Sequence, residues 1–116
     1  MNWQAFIFDF DGVIVDSEPL HHQAFVRVFD PIDLTLSWER YYDHYLGYDD
    51  RDVIRERFKE AGRALDEATL AELMRHKANR FVDIIEQEGV TPYPGVVEFI
   101  RAASEKVPVA ICSGAL

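Results

Sequence analysis

Apolar residues along the chain follow two different spacings, which predict strands near its two ends and helices between them. A short apolar run at residues 4–8 predicts a buried first strand, and another at residues 107–112 predicts a second. Between them, four stretches carry apolar side chains at helical spacing, and a further short helix follows the proline-rich residues 90–96. This order of elements predicts an α/β fold with parallel strands.

Polar residues mark where the predicted helices begin. Ser37 is suited to cap the second helix, the third starts near Asp49 or Asp50, and Asp66 is suited to cap the fourth. Gly89 then ends the fourth helix, because glycine favours the backbone conformation found just after a helix. The four helices are therefore expected to be separate, amphipathic elements of one small bundle.

The chain is expected to divide into two domains. Residues 1–16 and 91–116 would form part of a parallel α/β core, and residues 17–90 would form a helical domain beside it. Two strands are few for such a sheet and leave an apolar edge open. We expect that edge to be covered by self-association or by a C-terminal half of the core that the chain lacks.

Composition excludes several classes of function. Of 116 residues, 48% are hydrophobic, which is enough for a packed core. The net charge of -9 argues against nucleic acid or an acidic membrane as partner. The N-terminus resembles neither a signal peptide nor a membrane span. Cys112, the single cysteine, fits a reducing, cytoplasmic setting and is expected to be buried in the second strand.

A cluster of carboxylates directly follows the first predicted strand. Asp9 and Asp11 stand at its end, and further acids follow them. Carboxylates held close together raise one another's pKa or recruit a cation, and Mg²⁺ prefers such oxygen ligands. Ligands of open parallel sheets bind outside the carboxyl ends of the strands, where Ser113 and Gly114 also fall. A simple turn, with aspartate bonding to nearby backbone, explains the D-F-D-G segment equally well.

The stretch F-D-F-D-G-V-I-V-D-S-E resembles the first motif of the haloacid dehalogenase-like hydrolase superfamily. The match extends to the branch with a helical cap inserted after the first strand, which includes phosphoglycolate phosphatases and β-phosphoglucomutases. T-P-Y-P-G-V and I-C-S-G-A resemble the start of that branch's core helix and its second motif. The resemblance covers essentially the whole chain. It implies a Rossmann-like core, incomplete in this chain, with an inserted four-helix cap.

The resemblance also implies a chemistry, namely Mg²⁺-dependent hydrolysis of a small phosphorylated metabolite. Asp9 would accept the phosphoryl group as an aspartyl-phosphate, and Asp11 would protonate the leaving oxygen and then activate water. The Asp9 carboxylate and the Asp11 backbone carbonyl would ligate Mg²⁺. Ser113 and Gly114 would hold the phosphate oxygens.

Within the predicted cap, the resemblance points to His21, Gly47 and Arg51 as residues on the substrate side. His21 matches a histidine of β-phosphoglucomutase-like members, whereas Gly47 and Arg51 lie around the loop that sets substrate specificity. Mutases of the branch carry a basic pair around this loop, but Leu46 occupies one of those places here. We therefore favour a phosphatase over a sugar-phosphate mutase, and keep a non-catalytic helical binding module as a third hypothesis.

The catalytic set of the branch has four motifs, and the chain contains the first two. A later lysine and a further acidic pair complete the phosphate and Mg²⁺ sites of the branch. Lys59, Lys77 and Lys106 do not lie in the context of that lysine. We therefore expect the chain to be the N-terminal part of a hydrolase and to be inactive by itself.

Overall fold

The computed structural model describes residues 2–113. Its strands and α-helices are β1 (Phe6–Asp9), α1 (Glu18–Phe29), α2 (Trp38–Arg40), α3 (Asp50–Glu60), α4 (Glu67–Glu88), α5 (Val96–Ser104) and β2 (Val109–Cys112). A 3-10 turn, Asp30–Ile32, continues α1, and a π-helical segment, Tyr41–Tyr45, continues α2. Within residues 2–113, no helix has both the length and the apolar character needed to cross a membrane.

The two strands are parallel neighbours, with Asp9 of β1 opposite Cys112 of β2. Helix α5 directly precedes β2 and packs on the sheet through Phe99. The Phe99 ring meets the rings of Phe6 and Phe8 nearly edge-on, with centroids 5.9 and 6.0 Å apart. Edge-to-face contacts of this kind stabilise a helix on an apolar sheet face. The predicted α/β fold with parallel strands is therefore confirmed.

The prediction that both strands are buried is wrong for the part of the chain that the structure describes. Ile7 is 74% exposed and Ile111 is 59% exposed, and Cys112 is exposed as well. The sheet has two strands, and among the described residues a helix, α5, packs on one of its faces, the face of Phe6 and Phe8. Side chains alternate between the faces of a strand, so Ile7 points to the other face and stays open to solvent. The strands also begin two residues later than predicted, at Phe6 and Val109. What covers this apolar surface stays a prediction.

Ser37 and Asp66 cap their helices as predicted, and Asp49, one of the two predicted starts of the third helix, caps that helix. Ser37, Asp49 and Asp66 each accept a hydrogen bond from the backbone N–H three residues later, at 3.1, 2.8 and 2.7 Å. These bonds satisfy donors that have no partner inside the helix. The second predicted helix, which Ser37 caps, differs from a regular α-helix because it widens into the π-helical segment after Arg40.

The described chain falls into two compact units. The first contains the residues up to Glu18 and those from Gly89 onward, and the second is Pro19–Glu88. The core of the second unit is built by α1 to α4 and the segments between them, with fully buried side chains such as Phe25 and Ile54. The domain limits expected at residues 17 and 90 stay a prediction.

Candidate active site

The carboxyl ends of β1 and β2 lie side by side. Asp9 ends β1 opposite Cys112, which ends β2, and Ser113 follows immediately. Neighbouring strands are about 4.8 Å apart, so Asp9 and Ser113 leave the sheet at the same edge. The Asp9 side chain is exposed, and its Oδ1 accepts a 2.7 Å hydrogen bond from the Phe10 backbone N–H. Gly114, also predicted to bind phosphate, lies outside the described residues.

After β1 the chain turns tightly around the carbonyl oxygen of Phe10. That oxygen accepts hydrogen bonds from the N–H groups of Ile14 and Val15, at 3.0 and 3.2 Å, and Gly12 N–H donates to the Val15 oxygen at 2.8 Å. Gly12 has φ +76°, a left-handed conformation that other residues rarely adopt. The D-F-D-G segment is thus a turn, and the turn still presents the exposed Asp9 carboxylate at the strand end.

The second aspartate of the motif is held by a buried serine. Ser17 is 2% exposed, and its Oγ donates a hydrogen bond to Oδ1 of the half-buried Asp11. A buried hydroxyl needs a partner, so this bond stabilises both side chains in one orientation. Asp9 is therefore accessible, whereas the orientation of Asp11 is fixed by its neighbour.

Oxygen donors of the kind that Mg²⁺ prefers occur together at the end of β1. Asp9 offers an exposed carboxylate, and Asp11 offers a backbone carbonyl two residues later. Mg²⁺ usually binds to few protein oxygens and keeps several waters, so this donor set fits it. Asp16 has a different place. Its Oδ1 accepts a 3.3 Å hydrogen bond from the Glu18 N–H at the start of α1, where a negative charge is favourable.

In the helical unit, His21 contacts a buried lysine. The His21 ring stacks on Phe81, with centroids 4.2 Å apart, and its Nδ1 lies 2.7 Å from Nζ of Lys77. Lys77 is 2% exposed, and its Nζ also lies 2.8 Å from Oδ1 of Asp50. The rings of Phe25 and Phe81 lie 4.8 and 5.2 Å from the same nitrogen. The carboxylate and the two ring faces offset the cost of burying the ammonium group.

Lys77 is a charged residue that the motifs do not predict. The only sign of it in the sequence is its place in the apolar stripe of α4, between Leu73 and Phe81. Lysine is rarely buried without a partner, so this place implies a counter-ion. The partner is not apparent from the sequence, because Asp50 lies 27 residues away along the chain.

Gly47 lies in the loop after the π-helical segment, and Arg51 lies in the first turn of α3. Gly47 has φ +90° and lies inside a turn in which the Tyr48 N–H donates to the Tyr45 oxygen at 2.9 Å. The Arg51 side chain is 44% exposed, and its Nη1 lies 3.5 Å from Oε2 of Glu67. An exposed pair of this kind contributes little to stability. The arginine is therefore available for another partner, and its role toward substrate stays a prediction.

Comparison with known proteins gives the chain a family. The model of the haloacid dehalogenase-like hydrolases matches residues 3–116. The chain is also similar to the protein CbbY of Rhodobacter capsulatus. The two are 31% identical over 116 residues, a match that covers 97% of this chain and 51% of that protein.

Solved structures share the fold. A variant of CbbY from Rhodobacter sphaeroides, in complex with xylulose-(1,5)-bisphosphate, has a TM-score of 0.79 and 22% identity, over 95% of this chain and 50% of that chain. A predicted phosphoglycolate phosphatase from Haemophilus somnus has a TM-score of 0.82 and 18% identity, over 97% of this chain and 52% of that chain. At such identities the likeness shows the fold alone.

The matches extend over nearly all of the chain but not over all of its relatives. The chain spans about half the length of the curated relatives it matches. The matched residues include both the D-F-D-G turn and the end of β2, which are the segments that carried the resemblance. That resemblance is confirmed, and the chain belongs to the family of haloacid dehalogenase-like hydrolases.

Proposed function

We propose that the chain carries the nucleophile and the acid of a Mg²⁺-dependent phosphohydrolase that cleaves a small phosphate monoester. The observation that supports this proposal is the parallel register of Asp9 with Cys112, which Ser113 follows directly in the chain. Membership of a hydrolase family supports it. The Asp11 carboxyl group adds support for phosphate esters, because an oxygen leaving group needs a proton.

In the proposed reaction, an Asp9 carboxylate oxygen attacks the phosphorus atom. The bond from phosphorus to the ester oxygen breaks, and Asp11 gives that oxygen its proton, so that the alcohol leaves. A water molecule then gives a proton back to Asp11 and attacks the aspartyl-phosphate, which releases phosphate and restores Asp9. The Ser17 hydroxyl, which donates to Asp11, would hold the acid in place during both steps.

The Asp9 carboxylate and the Asp11 carbonyl would hold Mg²⁺ at this end of β1. When bound, the ion would neutralise part of the charge on the phosphate, which is a large part of catalysing phosphoryl transfer. Ser113 and Gly114 would bind phosphate oxygens from the end of β2. Phosphate would otherwise be repelled by the acids of a chain with net charge -9.

The substrate class that we propose is a small phosphorylated metabolite. Two similar structures support it, since one holds xylulose-(1,5)-bisphosphate and the other is a predicted phosphoglycolate phosphatase. His21, Gly47 and Arg51 would contact the part of the substrate that is not phosphate. Neither nucleic acid nor a membrane is expected as a partner, because the chain is acidic.

An assay of phosphate release tests the proposal. Sugar phosphates and phosphoglycolate would be offered, with Mg²⁺, to the 116-residue chain and to the same chain continued by the C-terminal half of CbbY from Rhodobacter capsulatus. We expect the continued chain to turn over at least one of them. We expect negligible turnover by the 116-residue chain, because it lacks the later lysine and the acidic pair of the branch. Each lost electrostatic contact of this kind costs roughly 10²–10³ in rate.

Two matched variants test the mechanism. Asp9→Asn should abolish turnover, and it should also abolish the mass increase of one phosphoryl group after incubation with acetyl phosphate. Asp16→Asn changes an exposed acid of the same segment and should keep most of the activity. Full activity of Asp9→Asn would contradict the mechanism. Isomerisation of a sugar phosphate without phosphate release would instead identify a mutase, and saturable binding without turnover a binding module.

A further inference from the structure

A second group of metal-ligating side chains lies in the helical unit. His44 belongs to the π-helical segment, and Glu56 and Glu60 lie one turn apart on α3. One ligand atom from each of these three residues lies within 4.8 Å of the other two. Separations of this size need only small side-chain movements to reach one shared ion, because metal–ligand bonds are about 2.0–2.2 Å long.

The imidazole of His44 has a buried nitrogen that lacks a hydrogen bond. Among residues 2–113, no atom is placed to form a hydrogen bond with its Nε2, although Oε1 of Glu60 lies 3.5 Å away. The ring is held edge-on against Tyr45, with centroids 4.9 Å apart. A buried polar atom without a partner is uncommon and costly. Imidazole nitrogen is also the commonest protein ligand of transition metals.

The surroundings of Glu60 both help and oppose a cation. Its Oε2 accepts a 2.7 Å hydrogen bond from the Tyr45 hydroxyl, which orients the carboxylate. In metal sites, ligating carboxylates are oriented by hydrogen bonds of the same kind from neighbouring residues. Its Oε1 accepts a 2.6 Å bond from Arg40, and Nη1 of Arg57 lies 3.8 Å from Oε2. The Arg40 side chain is 50% exposed and can turn out into water, whereas Arg57 is largely buried and stays.

We propose that His44, Glu56 and Glu60 bind one divalent transition-metal ion, with Zn²⁺ as the fitting example, while Arg40 moves away from Glu60. One imidazole and two carboxylates favour such an ion over Mg²⁺, which prefers oxygen ligands alone. Three protein ligands leave a further position for water. The site shares no residue with the proposed Mg²⁺ site at β1, and the proposal does not depend on phosphatase activity.

Calorimetric titration of Zn²⁺ into the metal-free 116-residue chain tests this proposal. We expect one saturable site that millimolar Mg²⁺ does not block. His44→Ala and Glu56→Gln should each weaken binding by at least about tenfold, since even the loss of an outer partner costs 10–100-fold. Arg40→Ala should tighten binding, because it removes the competing charge. The visible absorption of bound Co²⁺ should report the imidazole ligand and change in His44→Ala.

His76 provides the matched control. It lies 3.8 Å from Glu72 one helical turn away, but no third ligand joins this pair among residues 2–113. His76→Ala should therefore leave the affinity for Zn²⁺ unchanged. Circular dichroism checks that each variant is folded. If His44→Ala is unfolded, the Zn²⁺ affinity of Glu56→Gln tests the proposal instead. The proposal is wrong if Zn²⁺ does not bind saturably, or if the folded variants at residues 44 and 56 bind it as the natural chain does.

Discussion

The Nζ atom of Lys77 lies 2.7 Å from Nδ1 of His21. An ammonium group can only donate hydrogen bonds, so Nδ1 is the acceptor and the ring proton of the neutral imidazole is on Nε2. The third member of the group, Asp50, supplies the negative charge at 2.8 Å from the same Nζ. The contact with Lys77 thus sets the tautomer of the His21 imidazole.

The stability of the protein should depend strongly on the carboxylate of Asp50, which pairs with the buried Lys77. Asp50→Ala leaves the ammonium group buried without a counter-ion, and we expect it to lower the free energy of unfolding by about 3 kcal/mol. Lys77→Met should cost less, because its side chain packs between the same aromatic rings and the remaining Asp50 is 30% exposed to water. Urea denaturation of the two variants measures the difference. Glu86→Ala, an exposed change in α4, should stay within about 0.5 kcal/mol of the natural chain. Equal losses in Asp50→Ala and Glu86→Ala would contradict the buried ion pair.

Asp66, which caps α4, should make the stability of the protein depend on pH. The backbone N–H of Thr69, together with its side chain, lowers the pKa of Asp66 below its ordinary value of 3.8. Since the folded-state pKa is lowered, the stabilisation is complete above pH 3.8 and is lost as the pH falls through the folded value. Thermal unfolding between acid and neutral pH should show this loss. Asp66→Asn still caps the helix but should remove this part of the pH dependence, and an unchanged profile in that variant would show that Asp66 does not contribute it.

Ser17 is predicted to position the acid rather than to bind substrate. In the continued chain, if it hydrolyses a phosphate ester, Ser17→Ala should lower kcat by about tenfold and leave KM nearly unchanged. The reason is that general acid catalysis accelerates a reaction by roughly 10²–10⁴-fold and depends on the orientation of the acid. Ser17→Thr keeps the hydroxyl and should keep most of the rate. If KM rose while kcat stayed the same, Ser17 would belong to substrate binding instead.

The hydroxyl of Tyr45 should contribute to the stability of the helical unit. Burial and the hydrogen bond to Glu60 raise the pKa of Tyr45 well above its ordinary value of 10.0, so the hydroxyl keeps its proton at neutral and mildly alkaline pH. Tyr45→Phe removes that donor and should cost roughly 1–2 kcal/mol in the free energy of unfolding. Tyr42→Phe, on a side chain that is 54% exposed, is the control and should cost almost nothing. Similar losses in both variants would count against the Tyr45 contribution.

Much of the fold could be predicted because its signals are local. Ser37, Asp49 and Asp66 bond to backbone three residues ahead, so the sequence around each of them contains both partners. The strands are different, since their limits depend on pairing between Phe6 and Val109, far apart in the chain. Burial of Ile7 could not be judged from its neighbours in sequence, because burial depends on what lies across the sheet.

The same distinction applies to the candidate sites. Asp9 and Asp11 could be chosen because a motif joins them within three residues. Lys77 could not be connected to His21, because 56 residues separate the two and neither stands in a recognisable pattern with the other. The ligand group of His44 and Glu60 was likewise invisible, since it depends on how the π-helical segment lies against α3.

Val15 forms an antiparallel bridge with Pro92, and the Tyr93 N–H donates to the Ile14 oxygen at 2.8 Å. The segments where the polypeptide leaves the first unit and returns to it are therefore joined by backbone contacts. The two ends of the inserted segment are held together by these contacts. A change in the length of the insertion therefore adds little to the entropy cost of closing the loop and leaves the register of β1 and β2 unaltered. Residues 19–88 can therefore be replaced by a segment of another length while β1 and β2 keep their pairing.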